Sequence, residues 1–293
     1  MVTTTKEYKD RLFSFIFGRE ENKAWTLSLY NAVNGSHYTD SSEIQITTIK
    51  DVLYMGMHND VSFIIANELS LYEQQSTFNP NMPLRQFLYA AKLIEQYLEP
   101  MKRKLYWKTL LKIPAPKFVV FYNGTDEHPD EVILKLSDAF LKKGKGDIEV
   151  TVRMLNINVG RNKALFEACK PLQEYSWLVD KIRTYATQMA REDAIDKTLA
   201  EIPDSFQLKH LLLQHKAEVK GMILTEYDEE DVMNGFKEEG REEGRKEGRK
   251  EGIISTLIGL VNDKLLSVED AANRLSVSVS EFLKLMNSQA TQV

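Results

Sequence analysis

The sequence predicts an α/β protein: a mixed central sheet in the first half of the chain, then a long helical remainder. Three observations carry this. Short runs rich in β-branched and aromatic residues recur at 43–49, 61–65, 69–75, 117–122, 132–136 and 148–157. Apolar residues at helical spacing fill several of the stretches around them. From Arg161 onward the helical spacing persists almost without interruption. Five or six strands with helices on both faces are the expected core.

Length and composition set the outer bounds. The 293 residues suit one large or two modest domains, and 43% apolar residues are enough for a packed core. No apolar run approaches 18 residues, so no membrane span is expected. The start, MVTTTKEYKDR, lacks an apolar signal segment. A lone cysteine, Cys169, excludes an intrachain disulfide and fits a reducing, cytoplasmic setting; on a helix it reads as a small core residue. A net charge of −5 means that any nucleic-acid contact must use a local basic surface.

Taken in order, Tyr8, Leu12, Phe13, Ile16 and Phe17 give a helix over 5–17, with Gly18 as its stop. Trp25, Leu29 and Val33 give a second over 20–33, closed by Asn34-Gly35. The alternating EIQITTI at 43–49 is a strand beside the hairpin that follows. Pro83 fits the first turn of a helix reaching about Leu98, with Leu84, Phe87, Leu88, Ala91 and Ile94 as its apolar face. Arg85 near its start is a candidate phosphate contact. Lys102, Arg103, Lys104 and Lys108, interleaved with Tyr106 and Trp107, are either a nucleic-acid surface or an ordinary solvated one. KFVVFY at 117–122 reads as a buried central strand, and 132–136 and 148–157 as further strands. Phe206 to Met222 reads as one helix.

Residues 60–75, DVSFIIANELSLYEQQ, carry the candidate chemistry. With Asn67-Glu68 as a two-residue turn, Asp60 lies opposite Gln75 and Ser62 opposite Glu73. Asp60, Glu73 and Gln75 then share one face, with directly opposed Cβ atoms about 5 Å apart. Two carboxylates so spaced suit Mg²⁺, a hard ion that prefers oxygen. Such an ion can activate a water and stabilise charge on a phosphate oxygen. The plainer alternative is a pair of solvated acids. His58, just upstream, is either a phosphate or metal contact or a structural residue.

The stretch TTIKDVLYMGMHNDVSFIIANELSLYEQQSTFNPNMPLR resembles the PD-(D/E)XK nuclease family transposases, relatives of the Rpn recombination-promoting nucleases. YKDRLFSFIFG, LSLYNAVNGS, VVFYNG, NKALFEACKPLQEYS and LTEYDEED extend the similarity over most of the chain. The resemblance implies a restriction-endonuclease-like core and DNA cleavage that depends on Mg²⁺ (or Mn²⁺). It implies Asp60 and Glu73 as the metal-binding acids. Gln75 falls at the position that holds Lys in most of the superfamily, although Gln is usual in this branch. Asp10, in KDRLF, matches the acid that superfamily members often place on the first helix near the metal. A lysine can orient the water and stabilise developing charge, whereas Gln only hydrogen-bonds. A slow or silent enzyme is therefore expected.

The tail is of different composition. Residues 238–252, EEGREEGRKEGRKEG, repeat every four residues. On a helix their Glu and Arg columns lie on nearly opposite sides, an arrangement that favours self-association; the alternative is a solvated helix or linker. Ser267-Val-Glu-Asp270 and Ser278-Val-Ser-Glu281 are capping-box patterns that open two short helices. The expected organisation is a nuclease-like core at 1–170, a helical extension at 171–227, the charged repeat at 228–265 and a small helical module at 266–293. The expected function is a DNA endonuclease that promotes recombination or transposition-like events, with DNA as partner and a homo-oligomer formed through the extension or tail. The alternatives are a nuclease-fold binding module without catalysis, and an RNA-directed nuclease.

Overall fold

Ala66 (φ 49°) and Asn67 (φ 62°) form a two-residue turn with both central residues at positive φ, as type I′ hairpins require. The structure, a computed structural model, describes residues 12–47, 60–142 and 146–290. The turn joins β2 (Val61–Ile65) to β3 (Glu68–Gln75), pairing Val61 with Tyr72 and Ile65 with Glu68. The expected turn at Asn67-Glu68 thus lies one residue too late. Asn tolerates positive φ, and Ala66 takes the other such position rather than the longer Glu68. Glu68 instead begins β3 and accepts a hydrogen bond from the Tyr30 hydroxyl at 2.8 Å. Every cross-strand partner moves by two, so each residue keeps its expected face.

The sheet has six strands in the order β1-β2-β3-β4-β6-β5. Here β1 is Gln45–Ile46, β4 Ala115–Tyr122, β5 Glu131–Lys135 and β6 Thr151–Asn156. β1 starts later than the expected 43, because Ser41–Glu43 turn as a short 3₁₀ segment; residues 48 and 49 of the expected strand lie outside the described residues. The pairs β3–β4 and β4–β6 are parallel and the rest antiparallel, so the sheet is mixed and open. β3 and the end of β4 are buried, which fits the continuous apolar run at 118–122.

Helices cover both faces. On one lie α1 (Leu12–Phe17) and α2 (Lys23–Asn34), which bury Phe13, Phe17, Leu29 and Tyr30 against Val61, Phe63, Tyr72 and Phe121. The rings of Phe63, Tyr72, Phe121 and Phe13 follow one another at centroid separations of 5.2–5.4 Å, within the range that favours tilted and edge contacts. Residues after the sheet join the same core: Leu172, Tyr175, Leu178 and Ile182 from α5 (Lys170–Ala186) and Ile195 and Leu199 from α6 (Arg191–Ala200). The short α4 (Lys163–Ala168) precedes them.

On the other face lies α3 (Met82–Leu98), with Pro83 in its first turn. Its buried stripe is Met82, Pro83, Gln86, Ala90 and Leu93, one residue off the expected apolar face; Leu84 is exposed. Ala90 and Leu93 pack on Leu69 and Leu71, and Met82 joins the cluster around Val120, Tyr122 and Met154. The helix expected over 206–222 is two helices, α7 (Lys209–Gln214) and the start of α8 (Lys216–Asn262), separated at His215. Leu212, Val219 and Met222 nonetheless continue one apolar row into the first core.

The chain divides into two compact units, Met1–Asp228 and Glu229–Val293. In the second, the end of α8 packs with α9 (Val268–Leu275) and α10 (Val279–Ala290) around Leu257, Ile258, Ala271, Ala272 and Phe282. Both expected capping boxes are formed: Ser267 Oγ accepts from the Asp270 N–H at 3.0 Å, and Ser278 exchanges hydrogen bonds with Glu281. Among the described residues, no helix is long and apolar enough to cross a membrane.

Candidate functional site

Asp60, Glu73 and Glu174 are the buried acids among the described residues. Removing a carboxylate from water costs several kcal/mol unless partners replace the solvent, so each needs an account. Glu174 has a structural one: its two oxygens accept from the backbone N–H groups of Gln207 (3.0 Å) and Leu208 (2.9 Å), closing the loop before α7. Asp60 and Glu73 differ, because both belong to one sheet face. Extending the β2–β3 register by one residue puts Asp60 across from Glu73. Asp60 Oδ2 accepts the Gln74 N–H at 2.7 Å, which ties the carboxylate to the edge of β3.

Glu73 is 1% exposed and is surrounded by donors. Arg85 Nη2 lies 2.6 Å from Oε1, Gln75 Nε2 donates to the same oxygen at 3.2 Å, and Gln86 Nε2 donates to Oε2 at 3.3 Å. Gln75 arrives from two positions along β3, which is one full strand period. Arg85 and Gln86 arrive from the first turns of α3, whose N-terminal end lies over this part of the sheet. Arg85 Nε and Gln86 Oε1 are buried without a hydrogen-bond partner among the described residues. The fully buried Gln86 thus has one half of its amide committed to Glu73 and the other unspent.

The face opposite is structural. Gln74 Nε2 donates to Asn123 Oδ1 at 2.7 Å, and an Arg183 guanidinium nitrogen donates to the Asn123 carbonyl. Asn156 and Asn158 tie the ends of β4 and β6 to the 124–130 loop. These ends are the carboxyl ends of the parallel strands, where open α/β sheets form their crevices.

The residues singled out in the sequence fall into three groups. Asp60, Glu73, Gln75 and Arg85 come together. Lys102, Arg103 and Lys104 are exposed but stand beyond the far end of α3, about 20 Å along its axis from Arg85. Trp107 and Tyr106 are 61% and 89% exposed beside them. Asp10 and His58 lie outside the described residues. Cys169 is fully buried, and burial pushes its thiol above the ordinary range, which fits a core residue rather than a nucleophile.

Gln86 was not singled out. Its signal was present: a polar side chain at a core position of an amphipathic helix, four residues before Ala90 and seven before Leu93. Among the described residues no group of three or more His, Cys, Asp or Glu is arranged to hold a metal ion. Asp60 and Glu73 form a two-carboxylate donor set, and the unspent Gln86 Oε1 supplies a further oxygen beside Glu73. Hard oxygen donors of this kind fit a Mg²⁺-type ion that keeps most of its waters. Comparison of the chain with protein-family models, with curated proteins and with solved structures finds no match.

Proposed function

We propose that the chain is a metal-dependent endonuclease with a PD-(D/E)XK-type core, acting on DNA phosphodiesters in the cytoplasm and promoting recombination through the breaks it makes. The observation that carries this is the placement of Asp60 and Glu73: two buried acids facing one another across the β2–β3 hairpin, at the carboxyl end of β3. Buried charged groups of this sort seldom add net stability, and such groups cluster where chemistry is done. The element order supports the same conclusion, because α1–α2, the antiparallel run β1-β2-β3, α3 and the parallel β4 follow the order that such a core requires.

Asp60 and Glu73 would hold the ion, Mg²⁺ or Mn²⁺. A cation bound there supplies a water of lowered pKa and offsets charge on the phosphate. Gln75 fixes the Glu73 carboxylate through its Oε1 hydrogen bond and presents a neutral donor to a water or a phosphate oxygen. Gln86 fixes the other oxygen.

Supercoiled and linear DNA incubated with Mg²⁺, Mn²⁺ or EDTA tests this. Wild type is expected to nick in either metal and not in EDTA. Asp60→Asn and Glu73→Gln, which keep side-chain size, are expected to lose on the order of 10²-fold or more in rate while still melting in one cooperative transition; Glu73→Gln melts lower than wild type, because it leaves Arg85 without its buried carboxylate. Equal traces from wild type and both variants would remove the enzyme. Structured RNA cut in preference to DNA would change the substrate and keep the site. A second reading, a nuclease fold that binds without cutting, is favoured by one feature: Arg85 already neutralises Glu73 at 2.6 Å, and position 75 lacks a cation.

A further inference from the structure

We propose that Arg85 is the cationic residue of this site, delivering from α3 the charge that a lysine at position 75 would have delivered from β3. The proposal rests on the nuclease function above. Position 75 and Arg85 converge on one atom: Gln75 Nε2 and Arg85 Nη2 both donate to Glu73 Oε1, at 3.2 and 2.6 Å. A longer, charged side chain at 75 would aim at the place where the guanidinium now stands. The neutral residue at 75 and the cation at 85 are therefore two halves of one arrangement.

Helix energetics do not explain Arg85. It is the fourth residue of α3, where the helix dipole disfavours a cation, and α3 has no acid in its first turn to offset it. Nor is the pair an ordinary surface bridge, since Glu73 is 1% exposed and Arg85 21%. That partial exposure matters. Arg85 is anchored on a buried carboxylate yet keeps one side toward solvent, from which a phosphate approaches. Its planar guanidinium presents several donors at once, a geometry matched to phosphate oxygens. Gln86, donating to Oε2, holds the carboxylate so that Oε1 stays turned to the arginine.

Arg85 forms and breaks no covalent bond in this scheme. Water adds to phosphorus, the bond from phosphorus to the leaving sugar oxygen breaks, and that oxygen takes up a proton. The guanidinium remains charged throughout and faces the negative charge that builds on the phosphate oxygens. A donor aimed at such developing charge is worth far more in a water-poor site than on a surface.

The test compares wild type, Arg85→Gln, Arg85→Lys and the double variant Arg85→Gln/Gln75→Lys, with Asp60→Asn as the metal-site reference. Three quantities are read: single-turnover nicking at saturating Mn²⁺, Mn²⁺ affinity by calorimetry, and the thermal melt. Arg85→Gln keeps a donor to Glu73 and removes only the charge. It is expected to nick roughly 10²–10³-fold more slowly, as for loss of one stabilising donor. It is also expected to bind Mn²⁺ at least as tightly as wild type, because a competing cation has left Glu73. Arg85→Lys is expected to fall between the two. Moving the charge back to position 75 is expected to regain about tenfold or more of the lost rate.

Arg85→Gln nicking at the wild-type rate overturns the proposal. So does a double variant that melts as wild type does but regains none of the lost nicking, for then the arginine serves structure alone. A wild type that fails to nick while matching Asp60→Asn removes the nuclease function, and the proposal with it. That result is distinct from an active wild type with an equally active Arg85→Gln.

Discussion

Ala66 stands at φ 49° with its side chain exposed, so its Cβ meets the crowding of left-handed backbone and gains no packing in return. Glycine carries no such crowding. Ala66→Gly is therefore expected to stabilise the protein by about 1 kcal/mol, net of the greater freedom glycine has in the unfolded chain. For a protein of this size the melting midpoint should rise by roughly 2–4 °C. A midpoint that falls would show that the turn does not hold this backbone in solution. The same residue explains why the register was misread from the sequence. An alanine at positive φ leaves no compositional mark, whereas Asn67 beside it does. The three site residues on the hairpin were legible because strand periodicity assigns faces without knowledge of the turn, and a two-residue slip preserves them. The pairing of Glu73 with Arg85 was not legible. Twelve residues and a loop separate them, and only the return of α3 over the sheet brings them together.

Among the elements, the strands were readable and the helix faces less so. β3, β4 and β6 declare themselves by β-branched and aromatic content, and their burial follows. In α3 the apolar residues suggested a face centred near Phe87 and Ala91, yet Gln86 and Ala90 are the buried ones. The face turned to the sheet carries both kinds of contact: Ala90 and Leu93 pack on Leu69 and Leu71, and Gln86 donates to the buried Glu73 carboxylate. A polar constraint between distant elements cannot be seen in the periodicity of one of them. The repeat in α8 poses the opposite problem. Its composition left helix and linker both open, and the segment is helical, although each glycine there costs about 1 kcal/mol relative to alanine. At Gly244, Gly248 and Gly252 a Cβ would meet nothing within 4 Å. Changing all three to Ala is thus expected to add on the order of 2–3 kcal/mol of helix stability. Far-UV circular dichroism on heating would read it as helix signal lost at higher temperature; an unchanged profile would mean that the repeat is not helical in solution.

For the molecule as a whole, each compact unit carries its own apolar clusters, which is the condition for folding separately. Unit one also keeps the contacts of early α8. The Leu12 N–H donates to Glu226 Oε1 at 2.7 Å, and Val219, Met222 and Ile223 belong to the main core. All of these lie before Asp228. A chain ending at Asp228 is therefore expected to melt in one cooperative transition within a few degrees of the full chain's first transition, and to nick DNA at the same rate per site. The charged repeat, spaced every four residues in the sequence, is the proposed site of self-association: acids of one copy would meet bases of another without an apolar seam. Such contacts are screened by salt. Sedimentation should show the full chain above monomer mass at low ionic strength, shifting toward monomer as salt is raised. The shortened chain should sediment as a monomer at every salt concentration. Equal association with and without residues 229–293 would place the self-contact on the sheet-bearing unit instead. A shortened chain that precipitates or melts without cooperativity would mean that the main core needs the C-terminal helices to form.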